Sequence, residues 1–376
     1  MLLALLLLTA CAQPAAQEPA LPQASPTPQL QVVVAYIPDE TEAAMPIETP
    51  EPTGAPSEEP TEEATPQPTA TPEPAATPLP YSAPEGVYTI AWISDPQHYS
   101  AKFPELYEAM TSFLQREKEP LHLEYVIHTG DLVNKTDDEA QWEVAVKAQA
   151  YLENIPNGVL AGNHDCQEPK KFGPYSKHFG EKQYRDKPWY GGSYQDNRGH
   201  YDLMTIGKTD FLFVYMSFGP DSGCIKWLNK VFAEYPDRVA FLCLHDYFTN
   251  DYVRSEDGEK LFKQVVKKQP NIRFVLCGHR YGAYCQVEDL DDDGDGSTDR
   301  SVYQMMFNYQ AAGKVGGDAY LRLMQVNEAE GTIHMLTYSP SLNDFNRFDD
   351  PEMREKHYEI DETAEEFTFP IPWNLS

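Results

Sequence analysis

The sequence predicts an α/β fold with a β-rich second half, placed behind a long leader that does not fold. Three observations carry this expectation. Residues 1–86 hold 18 of the 32 prolines, 12 acidic side chains and no Lys or Arg; the first Lys or Arg is Lys102. After Gly86, β-type apolar runs alternate with helix-type runs. The polar residues Asp95, Asp131, Asn163, His164, His245 and His279 each follow closely after one of those β-type runs, which is where α/β sheets place ligands.

Taken in order, residues 87–93 read as the first strand and 103–116 as a helix. Residues 123–127 are the second strand. Thr136-Asp137-Asp138-Glu139 opens another helix, with acids at the positive end of its dipole. Residues 158–161 are a third strand. Downstream come a strand at 210–216, a helix at 222–233, a strand at 239–244 that runs into His245, and a helix at 259–268. The strand at 272–277 runs into Gly278-His279, and strands at 281–288, 301–307, 319–326 and 331–338 follow. The stretch 187–200 is rich in Trp, Tyr, Gly and Asn. It is either a substrate lid with aromatic platforms or a loop packing its own aromatics.

The leader has its own logic. Residues 1–10 are apolar but too short to span a bilayer. They match the apolar region of a secretory signal whose basic n-region is missing, so the expected start lies further upstream. Leu8-Thr9-Ala10-Cys11 resembles a bacterial lipobox, which makes Cys11 the lipidation site. Residues 11–84 then read as a disordered, extended Pro/Glu/Thr-rich tether, with Ala-Thr-Pro repeated at 64–66, 70–72 and 76–78. The expected location is the outer face of a bacterial cell membrane, reached only through the lipid anchor. Of the formal charge of −30, −12 lies in the leader and −18 in residues 87–376, six aspartates falling between 289 and 299. Without clustered cations this chain has no nucleic-acid docking surface and no electrostatic grip on anionic lipid. Residues 85–376 are long enough to bury one large core, expected to be monomeric.

Asp, Asn and His together supply the carboxylate, amide oxygen and imidazole that suit hard or borderline divalent metals. At these residues the chain resembles the calcineurin-like metallophosphoesterase family. The motifs read Asp95-Pro96-Gln97-His98, Gly130-Asp131-Leu132-Val133-Asn134, Gly162-Asn163-His164-Asp165, a lone His245, and Gly278-His279-Arg280-Tyr281. Asn308-Tyr309-Gln310, 320–323 and 337–340 are similar to a bacterial subset in which Asp-x-Gln opens the first motif.

The resemblance implies a four-layer α/β/β/α sandwich with two mixed β-sheets. It implies two transition metals, divalent or trivalent, drawn from Mn, Fe, Zn or Co. Asp131 would bridge them, Asn163, His245 and His279 would complete the second, and Asp95 would bind the first. His164 would contact the phosphoryl group as general acid or charge stabiliser. The implied reaction is hydrolysis of a phosphate mono- or diester by a metal-activated hydroxide, on a phosphorylated small molecule or a wall-linked phosphoester. A relic that binds a surface ligand without turnover is the rival reading.

The first metal departs from the family pattern, because Gln97 and Tyr281 stand where His is usual. Gln97 offers an amide oxygen; His98 needs a bulged backbone to help; Tyr281 is either a phenolate ligand or no ligand; Arg280 is either a fixed cation near the site or a surface residue. The second site is therefore expected to hold metal more tightly than the first. Asn308 is a further candidate for metal or substrate. Asp291, Asp293, Asp295 and Asp299 surround a glycine turn with the spacing of a calcium loop or of a solvated acidic turn. Besides Cys11 the chain has five cysteines, and Cys243 and Cys277 are expected to be either a pair or buried free thiols.

Overall fold

Alternating side chains along β1 (Val87–Ile93) part between two apolar clusters. Ile90 and Trp92 face one; Ala91 and Ile93 face the other. This is the computed structural model of the chain, and it describes residues 82–167, 171–312, 315–346 and 364–374. The expected signal segment, most of the tether and Cys11 lie outside the described residues.

Among the described residues, two sheets of seven strands each form the frame. In the first, β1 pairs in parallel with β2 (Leu123–His128), and β2 with β3 (Asn157–Val159). On its other edge β1 pairs antiparallel with β11 (Leu321–Asn327), which continues into β12 (Thr332–Ser339), β13 (Asp344–Phe345) and β14 (Phe367–Pro370). The second sheet runs β4 (Tyr190–Tyr194), β5 (Gly199–Ile206), β6 (Thr209–Met216), β7 (Val239–Leu244), β8 (Ile272–Cys277), β10 (Arg300–Asn308), β9 (Gly282–Leu290). From β6 to β10 its pairs are parallel, and the hairpins at its two edges are antiparallel.

Three cores separate four layers. One lies between the sheets, with Ile90, Trp92, Phe213, Phe241 and Phe274 in it. A second packs the first sheet against α2 (Pro104–Arg116) and α3 (Glu139–Ala150). A third packs the second sheet against α6 (Ser222–Glu234) and α7 (Glu256–Gln264). The fold is therefore the α/β/β/α sandwich with two mixed sheets. Helix starts follow their caps: Asp138, Asp221 and Ser255 each accept a backbone N–H from the first turn.

Two open readings close here. The aromatic stretch 187–200 forms the β4–β5 hairpin, not a lid: Tyr194 packs on Trp227, and Tyr190 packs beside His200. Cys243 and Cys277 are free. Their strands are neighbours, but Cys243 is in register with Leu276, so Cys277 points to the opposite face.

His200 is 1% exposed, stacks on Tyr215 with centroids 4.4 Å apart, and has no partner for either ring nitrogen. Burial pushes its imidazole down to about 3. The folded value lies below the unfolded one of about 6.5, so this stability is complete above pH 6.5 and is lost as pH falls toward 3. His200→Phe is expected to hold about 2–3 kcal/mol more stability than the parent between pH 7 and pH 4.5. Urea unfolding at both pH values checks this, and parallel losses in the two proteins would refute it.

Candidate metal centre

The parallel strands of both sheets end at one rim, and the chain makes sharp, unusual turns there. Asp95, Asp131 and His279 have φ of 53°, 55° and 68°, a strained region for residues with a side chain. Glycines let the carboxylates in. A Cβ on Gly162 would sit 2.0 Å from Asp131 Oδ1, and one on Gly278 would sit 2.1 Å from Asp95 Oδ2.

The result is a buried cluster. Asp95, Asp131 and His245 each bring a ligand atom within 4.8 Å of the others, and all three are at most 2% exposed. His245 Nε2 lies 3.3 Å from Asp131 Oδ1 and 2.9 Å from Asn163 Oδ1. Its Nδ1–H donates to the Thr129 carbonyl at 2.9 Å, which fixes the tautomer and aims Nε2 at the cluster. The His164 amide donates to Asp131 Oδ1 at 3.0 Å, and the His279 amide to Asp95 at 3.1 Å. Gln97 starts the short α1 (Gln97–Lys102). Its Nε2 donates to Asp131 Oδ2 at 3.0 Å, while its buried Oε1 has no partner.

The electrostatics ask for a cation. Burial raises the Asp95 carboxyl, Asp131 adds to this, and His245 works against it. Burial also works to raise Asp131, but the charge and hydrogen bond of His245 outweigh it and hold Asp131 low. Burial works to lower His245, and Asp131 overrides it upward. No Lys or Arg pairs with either carboxylate among the described residues. Two buried carboxylates served by one imidazole, with an orphaned amide oxygen beside them, fit a metal centre.

A scan against family models matches residues 88–281 to "Calcineurin-like phosphoesterase". The chain belongs to the calcineurin-like phosphoesterase family. The uncharacterized protein YvnB of Bacillus subtilis (strain 168) is 41% identical over 266 residues, covering 70% of this chain. The match spans only 21% of that relative's length. Among solved structures, purple acid phosphatase PPD1 from yellow lupin is similar at 11% identity and a TM-score of 0.49, over 78% of this chain and 55% of that one. A dimetal phosphatase from Danio rerio is similar at 11% and 0.44, over 66% and 95%.

Other expected residues of this calcineurin-like phosphoesterase fall around the cluster. His164, Asn163, His279, Arg280 and Tyr281 line one cleft with Asp131. His98 stands beside the Gln310 backbone; burial, then the charges of Lys102 and His164, lowers its imidazole. Asn308 is fully buried, donating from Nδ2 to the His279 carbonyl at 3.2 Å and accepting the Gln310 amide at 2.9 Å. Asp291, Asp293 and Asp299 converge within 4.8 Å on an exposed turn, and Asp295 is not part of that group.

Sequence reasoning overlooked three contributors. Asp165, fully buried, accepts the amides of Leu132, Val133 and Gly162 at 2.8–3.0 Å and so staples two motif loops together. Asn250 and Gln310 line the cleft. A Gly-Asn-His-Asp motif marks Asp165 and the Asn308-Tyr309-Gln310 motif marks Gln310, but nothing local marks Asn250.

Proposed function

We propose that this chain hydrolyses a phosphate ester at a two-metal centre in the cleft. The observation that carries it is the buried Asp95–Asp131–His245 cluster with Asn163, His164 and His279 around it. Asp95, Gln97 and Asp131 would hold one cation, and Asp131, Asn163, His245 and His279 the other. Such cations supply positive charge to phosphoryl oxygens and acidify water.

The chain's own residues orient and move protons. Asp131, which would serve both cations, accepts the His164 amide. His164 Nδ1–H donates to the Asn134 carbonyl at 2.9 Å, so the tautomer is set and Nε2 is left for the cleft. Protonated there, it donates to a phosphoryl or leaving oxygen. Asn308 holds the His279 carbonyl and steadies that strained residue.

Release of p-nitrophenol from p-nitrophenyl phosphate and from its bis ester, with Mn, Fe, Zn or Co added, tests the reading. His164→Ala is expected to lower kcat by about a hundredfold to ten-thousandfold with metal content unchanged. Unchanged kcat would remove His164 from the reaction.

A further inference from the structure

The wall of the cleft beyond the metal-binding side chains is built from Asn250, Arg280, Tyr281 and Gln310. Asn250 comes from the loop after β7, Arg280 from the loop after β8, and Gln310 from just past β10. Gln310 is only 8% exposed, and its Oε1 is buried without a partner. Asn250 Oδ1 is likewise buried and unpaired. Arg280 has no carboxylate within ion-pairing distance among the described residues, and its Nε is also orphaned. Native proteins rarely leave such groups unsatisfied, because each costs free energy until a partner arrives.

The pattern of these groups restricts the partner. An ionised phosphoryl group offers acceptors only, so it satisfies the guanidinium and cannot satisfy an amide oxygen. The two amide oxygens need donors. A ligand that meets Asn250, Arg280 and Gln310 together therefore carries a phosphoryl group and, next to it, hydroxyl groups. We infer that Asn250, Arg280 and Gln310 form a specificity subsite for phosphate esters of hydroxyl-rich alcohols, Arg280 taking a phosphoryl oxygen and the two amides taking hydroxyls of the leaving group. This rests on the phosphoesterase reading above and deepens it. An aryl ester such as p-nitrophenyl phosphate presents no hydroxyl donor and leaves both amide oxygens unpaired.

The test compares sn-glycerol 3-phosphate with p-nitrophenyl phosphate on the metal-loaded full chain. The quantity read is the ratio of their kcat/KM values. Gln310→Leu is expected to shift that ratio against the glycerol ester by about tenfold or more, the effect of losing one buried hydrogen bond. Asn250→Ala, on a less buried loop where folding is not at stake, should shift it the same way. Arg280→Gln should lower kcat/KM for both esters and weaken inhibition by inorganic phosphate. A ratio unmoved in both amide variants overturns the subsite. If the parent turns over neither ester with any metal, the hydrolase reading fails instead. Calorimetry with glycerol 3-phosphate then decides the subsite alone: binding lost in Gln310→Leu supports it, and no binding to the parent overturns it.

Discussion

Asp131→Asn is expected to abolish metal loading and to lower phosphoester turnover by about a thousandfold or more. The substitution keeps the side chain's shape and removes one charge. That charge sits where everything meets: Oδ1 accepts the His164 amide and faces His245 Nε2, and Oδ2 accepts Gln97 Nε2. A neutral amide is a weak ligand for a hard or borderline cation, and metals contribute several kcal/mol of charge stabilisation in reactions of this kind. A second readout does not depend on turnover. Metal at a hundred times its dissociation constant should stabilise the parent by about 2.7 kcal/mol, and the variant hardly at all. Elemental analysis and thermal unfolding with and without metal check both. Two ions retained per chain in Asp131→Asn would place the metals elsewhere.

The rim that carries this cluster was legible because the strands leading to it are buried on both faces. Such strands read as unbroken apolar runs, and the sequence bounds of β1, β7 and β8 agree with the structure to the residue. Within one to three residues of each run's end stands an aspartate or histidine, so the site residues announce themselves by position. Where a segment lacks that contrast the sequence is silent. β4 is Tyr-Gly-Gly-Ser-Tyr, with two glycines that argue against a strand, and it exists because β5 pairs with it. α1 begins directly after Pro96, which places Gln97 in its first turn beside Asp131. α7 starts three residues earlier than its apolar pattern suggests, because Ser255 caps it and Glu256 and Asp257 favour the helix N-terminus. Of the two readings of Cys243 and Cys277, buried free thiols hold and pairing is excluded by register, because the offset between strands is a property of the sheet. Asp165 also accepts amides some thirty residues away, and Asn250 reaches the cleft from a loop with no motif, so no local spacing encodes either role.

Arg322→Met is expected to destabilise the folded chain by about 3–5 kcal/mol, because it removes a buried cation from the neighbourhood of a buried carboxyl. Arg322 is fully buried in β11, in register with Trp92 of β1, and its guanidinium lies 5.0 Å from the Phe307 ring. Its Nη2 donates to the Ala364 carbonyl at 2.5 Å. The next residue, Glu365, is also fully buried and accepts the Tyr309 hydroxyl at 2.9 Å. Charge from both Glu365 and Arg322 acts on that hydroxyl, so the two lie in one neighbourhood. The contact ties the segment before β14 to the core between the sheets. The register partner of Arg322, Trp92, is joined to the Asp95 cluster by three hydrogen bonds: Trp92 Nε1 donates to Thr129, which bonds to Ser94, which in turn bonds to Asp95. If the cost comes from an uncompensated charge, removing the second charge as well should return part of it: Arg322→Met with Glu365→Leu should be more stable than Arg322→Met alone. Denaturant unfolding of the three proteins measures the coupling. A double variant less stable than the single would mean that Arg322 acts through its packing on Phe307 and Phe367 and not through its charge.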